Sequence, residues 1–146
     1  MFAKRILADE SGQIILRHII KIGVVIAIIG LLLWAVGPLI YYRIACIQDA
    51  EDFANAIAFD YKLYQNPDKA VYEEGIPKLK LMGYSDEEIS QSKVEFLPVG
   101  VTPKTSVRVT LLKIASNSLI DKISFLRRYA KIYTTKQISI QAAEKR

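Results

Sequence analysis

The sequence has little of what soft-metal, redox and nucleophilic chemistry require. One cysteine, Cys46, and one histidine, His18, are all it contains. A lone cysteine closes no internal disulfide, and with a single histidine it makes no zinc or haem ligand set. No Gly-rich phosphate loop, metal-ligand spacing or nucleophile elbow is present. Two acidic groups remain, Asp49/Glu51/Asp52 and Asp86/Glu87/Glu88. The first reads as the polar side of a helix, the second as the acidic first turn of another. Neither an enzyme nor a cofactor-binding protein is expected, and no metal site. Cys46 reads as a buried small residue, with S-acylation or an intermolecular bridge as alternatives.

Charge of one sign is missing locally rather than overall. The net charge is +5, but residues 43–95 hold 6 Lys/Arg against 11 Asp/Glu, whereas residues 96–146 hold 10 against 2. An acidic half followed by a basic half implies complementarity, within a subunit or between subunits. No base-reading motif accompanies the basic half, so nucleic acid is not an expected partner.

Polar residues are absent altogether from one stretch that is long enough to matter. Ile22–Tyr42, IGVVIAIIGLLLWAVGPLIYY, carries no charge over 21 residues. As a helix it reaches roughly 31 Å, the thickness of a bilayer's hydrocarbon core. A signal peptide is the competing reading, but its apolar region is shorter and ends at a small-residue cleavage site. A buried core helix is a poorer one, because the following residues cannot cover a helix that is apolar all round. The lipid bilayer is therefore the first expected partner. Lys4, Arg5, Arg17 and Lys21 outnumber Asp9 and Glu10 before the span, which places segment 1–21 in the cytoplasm and 43–146 outside. Gly23, Gly30 and Gly37 recur every seven residues with Ala27 beside them. Such small residues let a second helix approach in lipid, and the bland reading is that glycine is common in membrane helices. Pro38 lacks an N–H and implies a local bend.

The helical period continues past the membrane. Ile47, Ala50, Ala54, Ile57, Tyr61 and Tyr64 are spaced 3, 4, 3, 4 and 3, which predicts one amphipathic helix over 43–65 with Ile47, Ala54, Ile57, Tyr61 and Tyr64 packing on a sheet. Asn66-Pro67 ends it and caps a short helix that stops at Gly75. A further turn closes at Gly83, and Ser85–Glu88 is a capping box for a third short helix, so 66–92 is a run of short helices. From Lys93 the period becomes two. Strands are predicted at Lys93–Leu97, Thr105–Leu111 and Ala130–Ile140, with a loop or helical turn at 115–122, giving a β-meander over 93–142. The fold class is α+β: a long N-terminal helix, half transmembrane and half amphipathic, covered by a small antiparallel sheet.

This order of elements resembles bacterial pilin-like proteins, more specifically the TadE/TadG-like pseudopilins of tight-adherence pili. Ser11-Gly12-Gln13 stands just before the apolar run. Tyr41-Tyr42 leads into the Ala-rich DAEDFANAIAFDYKLY. SVRVTLL at 106–112 resembles their central strand, and KIYTTKQISI at 131–140 their threonine-rich last strand. The resemblance implies processing between Gly12 and Gln13 and packing against other pilin-like or membrane-complex subunits through the glycine face. Filament-forming relatives carry a glutamate five residues after the cut to pair with a neighbour's free amine; Arg17 stands there and repels it. The expected function is a structural or assembly protein of a tight-adherence-type pilus or secretion system, in the cytoplasmic membrane or in an extracellular filament. The alternative is a single-pass accessory subunit of another membrane complex that never polymerises. A third class, an outward-facing binding module, needs a concave site that no sequence pattern reveals.

Overall fold

The structure, a computed structural model, describes residues 10–116 and 119–143. It divides into two compact units, one ending at Gly37 and the other beginning at Pro38. The chain is α+β, with one long helix at its N-terminal end and a three-stranded antiparallel sheet.

Helix α1 runs Glu10–Tyr64, 55 residues, with Pro38 inside it. It starts twelve positions before the expected Ile22. The polar segment preceding the apolar run contains no proline and is rich in Ile, Leu, Gln, Arg and Lys, so nothing stops the helix there. His18 is absorbed into it: Nδ1 lies 2.8 Å from the Ile14 carbonyl oxygen. The flanking charges Lys4, Arg5 and Asp9 lie outside the described residues. In the first unit the apolar side chains face outward on every side of the helix. Ile26, Leu33 and Trp34 are 64%, 67% and 57% exposed.

In the second unit, the later turns of α1 carry the core. Cys46, Ala50, Phe53, Ala54, Ile57, Ala58 and Tyr61 are buried. The buried stripe is thus wider than the spacing predicted, and displaced at both ends. Ile47 and Tyr64 are exposed, while Cys46 and Phe53 take the inner positions. Sheet and short helices cover different rows of the helix: Cys46 reaches Leu111 and Tyr61 reaches Phe96, while Phe53 and Ile57 stand against Gly75. Tyr64 turns instead to Lys69, whose Nζ sits 4.0 Å above its ring centroid.

Asn66 acts as the expected cap. Its Oδ1 accepts from the N–H groups of Asp68 and Lys69 at 3.0 and 3.2 Å. The segment it opens does not stop at Gly75. A π-helical turn, Lys69–Gly75, runs directly into α2, Ile76–Leu81. Gly75 has an ordinary helical φ of −69°, so it serves packing rather than termination. Gly83, with φ +81°, ends α2 in the left-handed conformation that glycine accepts at no steric cost. Helix α3, Asp86–Gln91, is opened by the Ser85–Glu88 capping box.

The sheet has the order β1-β2-β3: β1 Lys93–Leu97, β2 Ser106–Ile114 and β3 Lys131–Ser139. Phe96 pairs with Val107, and Val107 with Ile138. Alternation then sorts the faces. Val107, Val109 and Leu111 are fully buried toward α1. On the outer face Arg108 donates to Gln137 at 3.1 Å and faces Glu95 at 3.8 Å, and the hydroxyls of Thr110 and Thr135 are 3.0 Å apart. The link between β2 and β3 holds a short helix α4, Leu119–Lys122, inside the loop or helical turn expected at 115–122, and a 3₁₀ turn at Arg127–Ala130 that alternation did not reveal.

Candidate functional site

Helix and sheet meet through side chains at two points that fix their mutual direction. The Cys46 thiol donates to the Leu111 carbonyl at 3.9 Å, and the Tyr61 ring lies 5.0 Å from that of Phe96, the strand partner of Val107. Passing from Tyr61 back to Cys46 therefore moves forward along β2, from 107 to 111. Beyond it, Leu39, Ile40 and Arg43 line a cleft of about 340 Å³ with Tyr129, Lys131 and Tyr133.

The acidic and basic halves find each other inside the head. Lys136 Nζ is 3.5 Å from Glu51, Lys131 Nζ 3.8 Å from Glu87, Lys113 Nζ 3.8 Å from Glu88, and Arg108 3.8 Å from Glu95. Of the two complementarity readings, this geometry supplies the one within a subunit.

The acidic groups do structural work. Asp49 accepts from the Tyr84 hydroxyl at 3.0 Å. That hydroxyl is held protonated well above the ordinary tyrosine range, first by burial, then by the neighbouring Cys46 and Asp49. Asp86 pairs with Lys80 at 2.9 Å. Glu88, 5% exposed, accepts from the N–H of Ser85 at 2.8 Å and from that of Ile114 at 2.7 Å. Among the described residues no three of His, Cys, Asp and Glu come together to hold a metal ion.

Each residue marked from the sequence has a definite place. Gly12 and Gln13 lie in the first turns of α1. A Cβ added at Gly23, Gly30 or Gly37 would meet nothing within 4 Å, so that face, with Ala27, is open within the chain. Ala54, Ile57 and Tyr61 sit in the core between helix and sheet; Ile47 and Tyr64 do not. Cys46 is fully buried. Sequence reasoning passed over Phe53 and read Gly75 as a helix stop rather than a packing position. A Cβ built on Gly75 would lie 2.5 Å from Cδ1 of Ile57 and 3.3 Å from Cε2 of Phe53.

Among the described residues one helix, within Gly12–Tyr64, is long and apolar enough to cross a membrane, and none of its apolar window is buried. No protein-family model matches the chain. Neither a curated protein nor a solved structure matches it.

Proposed function

We propose that the chain is a pilin-like structural subunit, held in the cytoplasmic membrane by one helix, with its α+β head outside. The observation that carries this reading is the double character of α1. Its earlier part exposes Ile, Leu and Val on all sides, a surface that water penalises by about 25 cal/mol per Å² and a bilayer does not. Its later part is the spine of the head's only described core. The open glycine face at Gly23, Gly30 and Gly37 supports assembly through helix packing in lipid, as the TadE/TadG-like resemblance implies. Residues 66–143 supply the helices and sheet that cover the spine, and no catalysis is assigned to them.

Arg17 favours a second reading, a permanently anchored accessory subunit that does not polymerise. A cation where filament-forming relatives place a glutamate leaves a neighbour's amine without a partner. Mass spectrometry of the mature protein and imaging of sheared surface material separate the two. A new N-terminus at Gln13 and recovery in filaments support the pilus reading. An intact N-terminus with full retention in the membrane fraction supports the accessory one. Release of the chain by alkaline carbonate would overturn both.

A further inference from the structure

We propose that the link between β2 and β3 is a docking surface for anionic phospholipid headgroups. The inference rests on the reading that residues 22–42 cross a bilayer, and it adds a second, peripheral membrane contact made by the head.

Placement comes first. Strand β2 is nine residues long, about 26 Å at 3.3 Å per residue, so its two connections lie far apart. Because α1 runs opposite to β2, the 98–105 turn falls beside Tyr61, and the β2–β3 link falls beside the turns of α1 at Leu39, Ile40 and Arg43. Ile40 and Tyr41 are 57% and 69% exposed there. They are among the last residues of the apolar run and belong, like the link, to the second unit.

Composition comes second. Residues 119–133 carry Lys122, Arg127, Arg128 and Lys131; Arg127 faces Asp121 at 3.4 Å and Lys131 faces Glu87 at 3.8 Å, so Lys122 and Arg128 are the cations offered to phosphate. Interleaved with them, Phe125, Tyr129 and Tyr133 are 74%, 57% and 57% exposed. Large rings left in contact with water cost free energy, and at a membrane interface the ring enters the headgroup layer while neighbouring cations meet phosphate. Arg128 already holds this arrangement, its guanidinium 4.8 Å over the Tyr129 ring and donating to the hydroxyl at 2.9 Å.

A second copy of the chain is the rival occupant, through its acidic half. Four of its acids, Glu51, Glu87, Glu88 and Glu95, already face Lys136, Lys131, Lys113 and Arg108 within their own head. Lipid phosphate has no such prior partner.

The test uses the full chain reconstituted in vesicles, in a Cys46→Ala background with one environment-sensitive label at Phe125→Cys, Tyr129→Cys, Val99→Cys or Ile26→Cys. Vesicles are neutral, or contain about 30 mol% phosphatidylglycerol, enough to give a negative surface potential. Labels at 125 and 129 should be quenched by headgroup-level spin labels several-fold more than the label at 99, only in the anionic vesicles. Lys122→Glu with Arg128→Glu should bring them down to the level of 99. If the label at 26 is in hydrocarbon while those at 125 and 129 behave like 99, the proposal is overturned and the anchor stands. If the label at 26 is also in water, the anchor fails and takes the proposal with it. Shielding at 125 that is equal in neutral vesicles, or that appears in detergent and grows with protein concentration, overturns the proposal in favour of nonspecific or protein contact.

Discussion

The carboxylate of Glu88 and the N–H of Ile114, 26 residues apart, form a 2.7 Å hydrogen bond that joins the start of α3 to the end of β2. Strand β1 pairs with β2 only as far as Thr110. Past that point the edge of β2 would present bare donors. Ser92 Oγ accepts from the Leu112 N–H at 3.1 Å and donates to the Glu88 carbonyl at 2.7 Å, so helix side chains finish what the short strand leaves open. Glu88→Ala would take the carboxylate acceptor from the N–H groups of Ser85, which is exposed, and Ile114, which is half-buried, and would remove one partner of Lys113, which also donates to the Gly83 carbonyl at 3.0 Å. The expected loss is about 1–3 kcal/mol, chiefly from the Ile114 N–H left without a partner. Glu88→Gln, which keeps the length and one acceptor, should lose about half of that. Chemical denaturation followed by near-UV circular dichroism, with the protein in nanodiscs, measures both.

At Gly75 the conflict is between backbone propensity and space. Alanine in a helix is worth up to about 1 kcal/mol over glycine. The added Cβ, however, would stand 2.5 Å from Ile57 Cδ1 and 3.1 Å from the Ala70 carbonyl oxygen. Ile57 is fully buried, and overpacking of this kind costs about 1–3 kcal/mol. Gly75→Ala should therefore destabilise by up to about 2 kcal/mol once the full propensity gain is taken off. Ile57→Val removes the clashing Cδ1. The double variant should be more stable than the sum of the two single losses, and strict additivity in a double-mutant cycle would refute the contact.

Asp60 gives the head a small pH dependence of defined sign. Burial, then the charge of Glu74, raises its carboxyl above the ordinary value, with Lys78 opposing. Between the unfolded value of 3.8 and the higher folded one, the native state binds more protons than the unfolded chain. Stability on this account falls as pH rises through that window and stays lower above it. Asp60→Asn should flatten the slope and raise stability at neutral pH, by less than about 1 kcal/mol because the group is largely solvated. Unfolding midpoints from weakly acidic to neutral pH decide it; an unchanged slope removes Asp60 as the cause.

Local chemistry was legible in the sequence wherever it was self-contained. The Ser85–Glu88 box, the Asn66 cap, the turn at Gly83 and three alternating strands follow from spacing and side-chain type alone. What spacing could not supply was the partner. Gly75 looks like a stop signal until Ile57 is seen against it. Ile47 and Phe53 are both apolar and near the same stripe, and only the packing of later segments on the helix, Gly75 against Phe53 among them, decides that Phe53 goes in and Ile47 stays out. The early start of α1 was missed because charge marks a membrane boundary without breaking a helix. The β2–β3 link, neither alternating nor helical over any length, gave no pattern to read, though its aromatic and basic content was visible.

Gly30 offers the most direct test of assembly. Nothing within 4 Å faces the position a Cβ would take there, nor at Gly23 or Gly37, so Gly30→Leu creates no clash inside the chain. Leucine favours membrane insertion by about 0.3–0.6 kcal/mol, so anchoring should be unharmed. A partner helix that approaches through the glycine face would be pushed away by the added side chain. Interhelical contacts of this kind are worth roughly 1–2 kcal/mol in model helices, which sets the expected fall in association at about tenfold. Leu32→Ala, two residues along and on the far side of the helix, is the control that should leave association unchanged. Both variants are to be compared by carbonate-resistant membrane retention and by co-purification from native membranes under mild detergent. Equal co-purification of Gly30→Leu and the parent chain would show that the small-residue face is not where subunits meet.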